Sequence, residues 1–267
     1  MNPNKNENFK NIKTFVLDMD GTIYLGDSLF PFTTEFLNTV KSCGKDFCFF
    51  TNNSSKNRKA YIKKLKRMQI EISDEQMLIS NGVIIEWLKK NHTGKSCYVV
   101  GTAELIADFE MTGINIDDVN PDIVILGFDT TLTYEKLSKA CSFIRSGKLF
   151  FGVNADLNCP TEDGFIPDCG SMAALIAAST GVQCEFFVKP SPHTLDYILR
   201  HTGRKASEVA IIGDRLYTDI AVADKSEVTS ILVLSGETQL SDLEYSEIKP
   251  DFVFKDLSEI TALLNQK

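Results

Sequence analysis

Asp18 and Asp20 stand two residues apart where an apolar run, Lys13–Leu17, gives way to Gly21-Thr22. Residues i and i+2 of a strand point the same way, so the two carboxylates are expected to face one pocket. At ~4 Å and an effective dielectric of ~20, their repulsion is on the order of 4 kcal/mol. A cation or a proton must compensate it, and either one serves catalysis. Three further groups stand at the ends of predicted strands. They are Thr51 in Phe50-Thr51-Asn52-Asn53-Ser54-Ser55, Lys189 in Val188-Lys189-Pro190-Ser191-Pro192, and the pair Asp214 and Asp219 in the run 213–219, GDRLYTD. Carboxylates with little nitrogen or sulfur nearby make a hard oxygen site suited to Mg²⁺. The Thr51 hydroxyl, the backbone N–H groups of Asn52 and Asn53 and the Lys189 ammonium make a receptor for phosphate oxygens. An aspartate in line with the phosphorus can act as nucleophile and form an aspartyl-phosphate. A second can protonate the leaving oxygen and then deprotonate water. Each signal alone also reads as a turn, a helix start or a surface loop. Their occurrence in this order, each at a strand end, is what carries weight.

The elements that must position these groups follow an alternating rhythm. Lys13–Leu17 reads as a buried strand. Thr33–Cys43 reads as a helix with Phe36, Val40 and Cys43 on one face and Gly44 as its stop. Asp46–Phe50 reads as a second strand, and Lys56–Arg67 as an amphipathic helix with a solvated basic face that could also attract a small anion. Near the C-terminus, Phe186–Val188 reads as a returning strand. Ser191 caps the next helix, Pro192 opens it, and Leu195, Ile198 and Leu199 form its apolar face. Val209–Ile212, Thr229–Leu234 and Asp251–Phe254 supply further strands. The middle region, 80–185, alternates on its own account, with strands at Ser96–Val100, Asp122–Leu126 and Leu149–Val153 and helices at Val83–Leu88, Ala103–Phe109, Tyr134–Ser146 and Met172–Ser179. The pattern predicts an α/β protein: a parallel-sheet core domain from 1–79 and 186–267, with an α/β domain, 80–185, inserted into it. Ligands of such sheets bind beyond the carboxyl ends of the strands, so the four groups are expected to share one crevice.

Bulk properties narrow the function classes. A chain of 267 residues accommodates two domains, and its net charge of −8 argues against nucleic-acid binding. No apolar run approaches the ~20 residues of a membrane span, and Met1–Asn11 is too polar to read as a signal peptide. Seven scattered cysteines without a Cys-x-x-Cys motif predict a reduced, cytoplasmic protein. His92 and His201 read as surface residues at helix ends, and His193 as part of a helix's first turn.

Together, DMDGT at 18–22, Thr51 in FTNNSS, Lys189 in VKPSP and GDRLYTD at 213–219 resemble the haloacid dehalogenase superfamily. The second aspartate resembles its phosphatase branches. The long insert between Thr51 and Lys189 resembles the large α/β cap type, within the p-nitrophenylphosphatase and pyridoxal-phosphate phosphatase-like branch. The resemblance implies a Rossmann-like three-layer core with an α/β cap, and Mg²⁺-dependent hydrolysis of a small phosphorylated metabolite such as a sugar, nucleotide or cofactor phosphate. It makes Asp18 nucleophile and metal ligand. Asp20 becomes general acid and base, and gives its backbone carbonyl to the metal. It assigns the phosphoryl group to Thr51, Asn52, Asn53 and Lys189, metal ligation to Asp214, and support of a metal water or of Lys189 to Asp219. Phe151-Gly152-Val153-Asn154-Ala155-Asp156 resembles a cap segment that usually ends Asn-Pro-Asp. This makes Asn154 and Asp156 candidates for selecting the leaving group, or equally a turn that stabilises the cap. Caps of this type often mediate homodimers. A phosphomutase or phosphotransferase using the same intermediate, and a phospho-acceptor signalling or binding protein, are the alternatives.

Overall fold

The computed structural model describes residues 9–54, 57–161 and 164–266. The chain divides into two compact units. One comprises the chain up to Thr51, Ile62–Leu78 and the chain from Thr194 onward; the other comprises Asn52–Tyr61 and Ile79–His193. The expected insert, 80–185, falls wholly within the second unit, which also takes in 52–61, Ile79 and 186–193.

The first unit is built on a six-stranded sheet in the order Phe252–Phe254, Thr229–Val233, Val209–Gly213, Thr14–Leu17, Asp46–Thr51, Met77–Ile79. Pairing along the first five strands is parallel throughout. Thr14–Leu17 and Val209–Gly213 are buried along their whole length. Strands covered on both faces need apolar residues at successive positions, and these two have them. Leu17 pairs with Ile212 on one side and Phe49 on the other, so Asp18, Asp214 and Thr51 all lie at one edge of the sheet. The helix Thr33–Ser42 returns over this sheet, its Phe36 ring packed edge-on to Phe15 at 5.8 Å.

The second unit carries a five-stranded parallel sheet in the order Glu185–Phe186, Leu149–Gly152, Ile123–Leu126, Ser96–Val100, Asn115–Ile116. Its core gathers Val100, Val124, Leu126, Ile144, Cys169 and Ile176. Thr133 caps the helix Tyr134–Arg145 by accepting the Lys136 N–H at 3.2 Å. Asp168 caps Cys169–Thr180, a helix that starts three residues before the predicted one. An antiparallel hairpin, Asn158–Thr161 with Gly164–Pro167, precedes that cap.

Two local readings change. Phe186–Val188, expected to rejoin the first sheet, contributes instead to the second: Glu185–Phe186 pairs with Phe151–Gly152. The reason is steric, because a Cβ at Gly152 would come within 2.5 Å of the Phe186 ring, so only glycine leaves room for that ring. The basic helix, Arg58–Arg67, exposes Lys59, Lys63, Lys66 and Arg67 as expected but turns Lys64 inward over the Tyr24 ring. All seven cysteines are free thiols, and burial pushes Cys48 and Cys97 up to about 12. No helix among the described residues is long and apolar enough to cross a membrane.

Candidate active site

The first unit assembles a carboxylate cluster. Asp18 follows the strand Thr14–Leu17, and its N–H donates to the Ile212 carbonyl at 2.8 Å, which ties it to the neighbouring strand. Met19 is fully buried while Asp18 and Asp20 keep partial exposure, as strand alternation requires. Asp18, Asp214 and Asp219 each bring a carboxylate oxygen within 4.8 Å of the others. Asp219 reaches this cluster because a single π-helical turn, Leu216–Ile220, follows Asp214, and the Arg215 N–H donates to Asp219 Oδ2 at 3.1 Å.

Glycines make the room. A Cβ on Gly21 would stand 2.4 Å, and one on Gly236 2.0 Å, from Asp214 Oδ2, while one on Gly213 would stand 2.3 Å from the Asp219 carboxyl carbon. Gly21 also has φ +85°, a left-handed conformation that glycine adopts without strain. A loop after the strand Thr229–Val233 holds the cluster from the far side. The Glu237 N–H donates to Asp214 Oδ2 at 2.7 Å, the Thr238 N–H to the Asp214 carbonyl at 3.2 Å, and the Ser235 hydroxyl to the Gly21 carbonyl at 2.7 Å.

The electrostatics would suit a cation. Burial first, and the Asp219 carboxylate second, push the Asp214 carboxyl well above its ordinary value. Asp214 Oδ1 is buried and accepts no hydrogen bond. An orphaned acceptor beside two further carboxylates, all hard oxygen donors, fits a small divalent cation. Arg215 offsets part of the negative charge. Burial works against its charge, but Asp18, Tyr217, Asp214 and Glu237 more than compensate and hold the guanidinium protonated. Its Nε lies 2.8 Å from Glu237 Oε2, an ion pair without hydrogen-bond alignment. The sequence reading missed Arg215 and the loop 235–238. A cation inside the run 213–219 and a Ser-Gly-Glu-Thr turn after a strand were the available signals.

Asp20 lies outside the three-carboxylate cluster. Its backbone bridges to Tyr24, and its Oδ2 stands 3.4 Å from the Tyr24 hydroxyl. Thr51 is buried as the last residue of its strand, not in the loop beyond it.

The second unit gathers the remaining candidates. Asn52 is buried, and its Nδ2 donates to the Lys189 carbonyl at 3.5 Å and to Asp156 Oδ2 at 3.4 Å. Asn154 donates to Asp156 Oδ2 at 3.3 Å and to Asp168 Oδ1 at 3.1 Å. Lys189 is 2% exposed, close to complete burial for an ammonium side chain. The Asn53 carbonyl accepts from the Tyr61 hydroxyl at 3.3 Å, and Ser54 Oγ accepts from the Phe128 N–H at 2.8 Å. Ala155, where the resembled segment has proline, is held by contact: its carbonyl leaves no space for a Cβ on Gly170, whose N–H donates to the Asp156 carbonyl at 2.9 Å. Ser191 Oγ accepts from the His193 N–H at 3.3 Å at the start of the helix Pro192–Thr202, the cap its sequence position predicts.

Known proteins are similar to this chain along nearly their whole length. Residues 15–115 match the haloacid dehalogenase-like hydrolase family model, and residues 187–260 match a HAD-hydrolase-like model. The chain is 32% identical over 258 residues to an acid sugar phosphatase of Staphylococcus aureus strain MRSA252, covering 96% of this chain and all of that one. It is 32% identical over 250 residues to the 5'-nucleotidase YutF of Bacillus subtilis strain 168, covering 94% and 98% of the two chains. The crystal structure of a 4-nitrophenylphosphatase from Thermotoga maritima superposes with a TM-score of 0.92 at 44% identity, covering 96% of this chain and 98% of that one. With motifs, sheet order and relatives in agreement, the chain belongs to the haloacid dehalogenase-like hydrolases.

Proposed function

We propose that this protein is a Mg²⁺-dependent phosphatase that hydrolyses small phosphomonoesters through an aspartyl-phosphate on Asp18. The observation that carries the reading is the cluster of Asp18, Asp214 and Asp219 around the orphaned Asp214 Oδ1, at the edge where the parallel strands end. The names of the relatives (acid sugar phosphatase, 5'-nucleotidase and 4-nitrophenylphosphatase) support the substrate class.

In the first half-reaction an Asp18 oxygen attacks phosphorus, the bond to the leaving oxygen breaks, and Asp20 gives that oxygen its proton. In the second, Asp20 takes a proton from water, the water oxygen attacks phosphorus, and the Asp18–phosphorus bond breaks to release phosphate. Asp18, Asp214 and Asp219 would hold the divalent cation, which supplies positive charge against the phosphoryl oxygens. Arg215 limits the mutual repulsion of the carboxylates. The family resemblance gives Thr51, Asn52, Asn53 and Lys189 to the phosphoryl group, and Asn154 and Asp156 to the leaving group.

The test is phosphate release from a panel of sugar, nucleotide and cofactor phosphates, with Mg²⁺ or with EDTA, for wild type and Asp18→Asn. Release that requires Mg²⁺ and falls at least a thousand-fold in Asp18→Asn is expected. Equal rates in wild type and Asp18→Asn would sink the nucleophile. Phosphate transfer to a sugar hydroxyl in preference to water would favour a transferase.

A further inference from the structure

Buried Tyr24, next to Asp20, and partly buried Lys64 on its ring form a pair that the roles assigned so far do not use. The Tyr24 ring is fully buried, so its hydroxyl must find its partners within the protein. The turn of the DMDGT motif brings it to Asp20: the Gly21 N–H donates to the Tyr24 carbonyl at 2.8 Å, and the Tyr24 hydroxyl stands 3.4 Å from Asp20 Oδ2. Lys64, from the basic helix, places its ammonium 3.8 Å from the centre of the same ring. That ammonium also lies 3.9 Å from Asp27 Oδ1, in the turn of the small hairpin Tyr24–Leu25 with Ser28–Leu29, and the Lys64 side chain is only 14% exposed.

We propose that Tyr24 is a positioning residue for Asp20, its hydroxyl holding Oδ2 so that the other carboxyl oxygen carries the proton to the leaving group, with Lys64 bracing the phenol from behind. The inference rests on the role of Asp20 as proton donor proposed above. As the proton leaves Asp20 for the departing oxygen, negative charge develops on the carboxyl. A hydrogen bond from the phenol to Oδ2 strengthens as that charge appears. An ammonium on the ring face draws electron density from the phenol and makes its hydroxyl a better donor. The basic helix thereby serves the reaction through one inward lysine, while Lys59, Lys63, Lys66 and Arg67 face solvent.

A merely structural tyrosine and a positioning tyrosine differ in how their loss depends on the leaving group. A weakly basic leaving group departs with little help from an acid, and a strongly basic one depends on it. The probes are 4-nitrophenyl, 4-chlorophenyl and phenyl phosphate, similar in size and rising in leaving-group basicity. The readout is kcat/KM, which reports departure of the leaving group in the first half-reaction. Tyr24→Phe is expected to lose roughly three- to ten-fold on phenyl phosphate and under about two-fold on 4-nitrophenyl phosphate. Lys64→Met, which leaves the tyrosine in place, is expected to tilt the series in the same sense by roughly two-fold. Asp20→Asn, measured beside them, is expected to give the steepest dependence. An equal loss across the series in Tyr24→Phe, or none, overturns the inference while leaving the Asp20 assignment intact. A flat series in Asp20→Asn overturns both.

Discussion

At Asp214, folding and ionisation work against each other. Burial and the neighbouring Asp219 carboxylate raise its carboxyl from 3.8 to about 7, with the Glu237 N–H and Arg215 opposing. Without a cation, the folded protein therefore holds a proton that the unfolded chain has lost between those two values. The native state binds more protons across that window, so stability falls as pH rises from about 4 to about 7 and is level below it. A divalent cation held there would replace the proton, and its stabilisation would grow as the carboxyl is freed. Asp214→Asn has no such group. The expected outcome is that wild type, measured in EDTA, loses stability relative to Asp214→Asn as pH goes from 4 to 7.5, and that Mg²⁺ reverses the loss only in wild type. Thermal melts across pH, with and without Mg²⁺, decide it. Parallel pH profiles for the two proteins would mean that Asp214 does not carry the proton. Gly21 and Gly236 make the arrangement sterically possible: a side chain at either position would drive into the carboxylate.

At the scale of elements, one carboxylate holds a helix and a loop together. Asp168 is buried, accepts the Cys169 N–H at 2.5 Å and the Asn154 Nδ2 at 3.1 Å, and so ties the start of Cys169–Thr180 to the segment 154–156. Asp168→Ala removes a cap worth about 1 kcal/mol and leaves a buried amide donor without its acceptor, a further 1–3 kcal/mol. The expected loss is therefore about 2–4 kcal/mol, read from urea denaturation, with Asp168→Asn losing less because it still caps. A loss below about 0.5 kcal/mol for Asp168→Ala would show that the helix start is held elsewhere. This helix also marks where sequence reading stops. Its apolar and small residues from Met172 onward were legible as a helix, but Asp168 as its cap was not, because the residues between looked like loop. Ser191 before Pro192 was legible because it stands directly against an evident helical run. Phe186 misled for a physical reason: an apolar run next to Lys189 fits either sheet, and the room that Gly152 leaves for its ring is not visible in a local pattern. Met77–Ile79 and the two hairpins are too short to show a period.

Across the whole molecule, the candidate residues are shared between two units built on separate parallel sheets. The first holds Asp18, Asp20, Thr51, Asp214 and Asp219; the second holds Asn52, Asn53, Asn154, Asp156 and Lys189. Asp18, Asp20, Asp214 and Asp219 were legible as candidates because they follow apolar strands in a fixed order. Asn154 and Asp156 were legible as candidates only through the resemblance of the segment 151–156, and the network that joins them to Asn52 and Asp168 was not, because it links positions more than a hundred residues apart. The same division sets the last expectation. If Asp18 attacks the phosphoryl group that every substrate shares, as proposed, its loss is expected to lower all rates together. Asp156 accepts from both Asn52 and Asn154 within the second unit, and a role in choosing the leaving group requires its loss to act unevenly. For Asp156→Ala, kcat/KM over a panel of sugar, nucleotide and aryl phosphates is expected to fall by about ten-fold or more for some polar leaving groups and by less than about three-fold for 4-nitrophenyl phosphate. The order of preference among substrates would then change. A uniform fall, accompanied by a lower melting temperature, would instead make Asp156 a brace for the loop 154–156, and selectivity would have to lie with other residues of the chain.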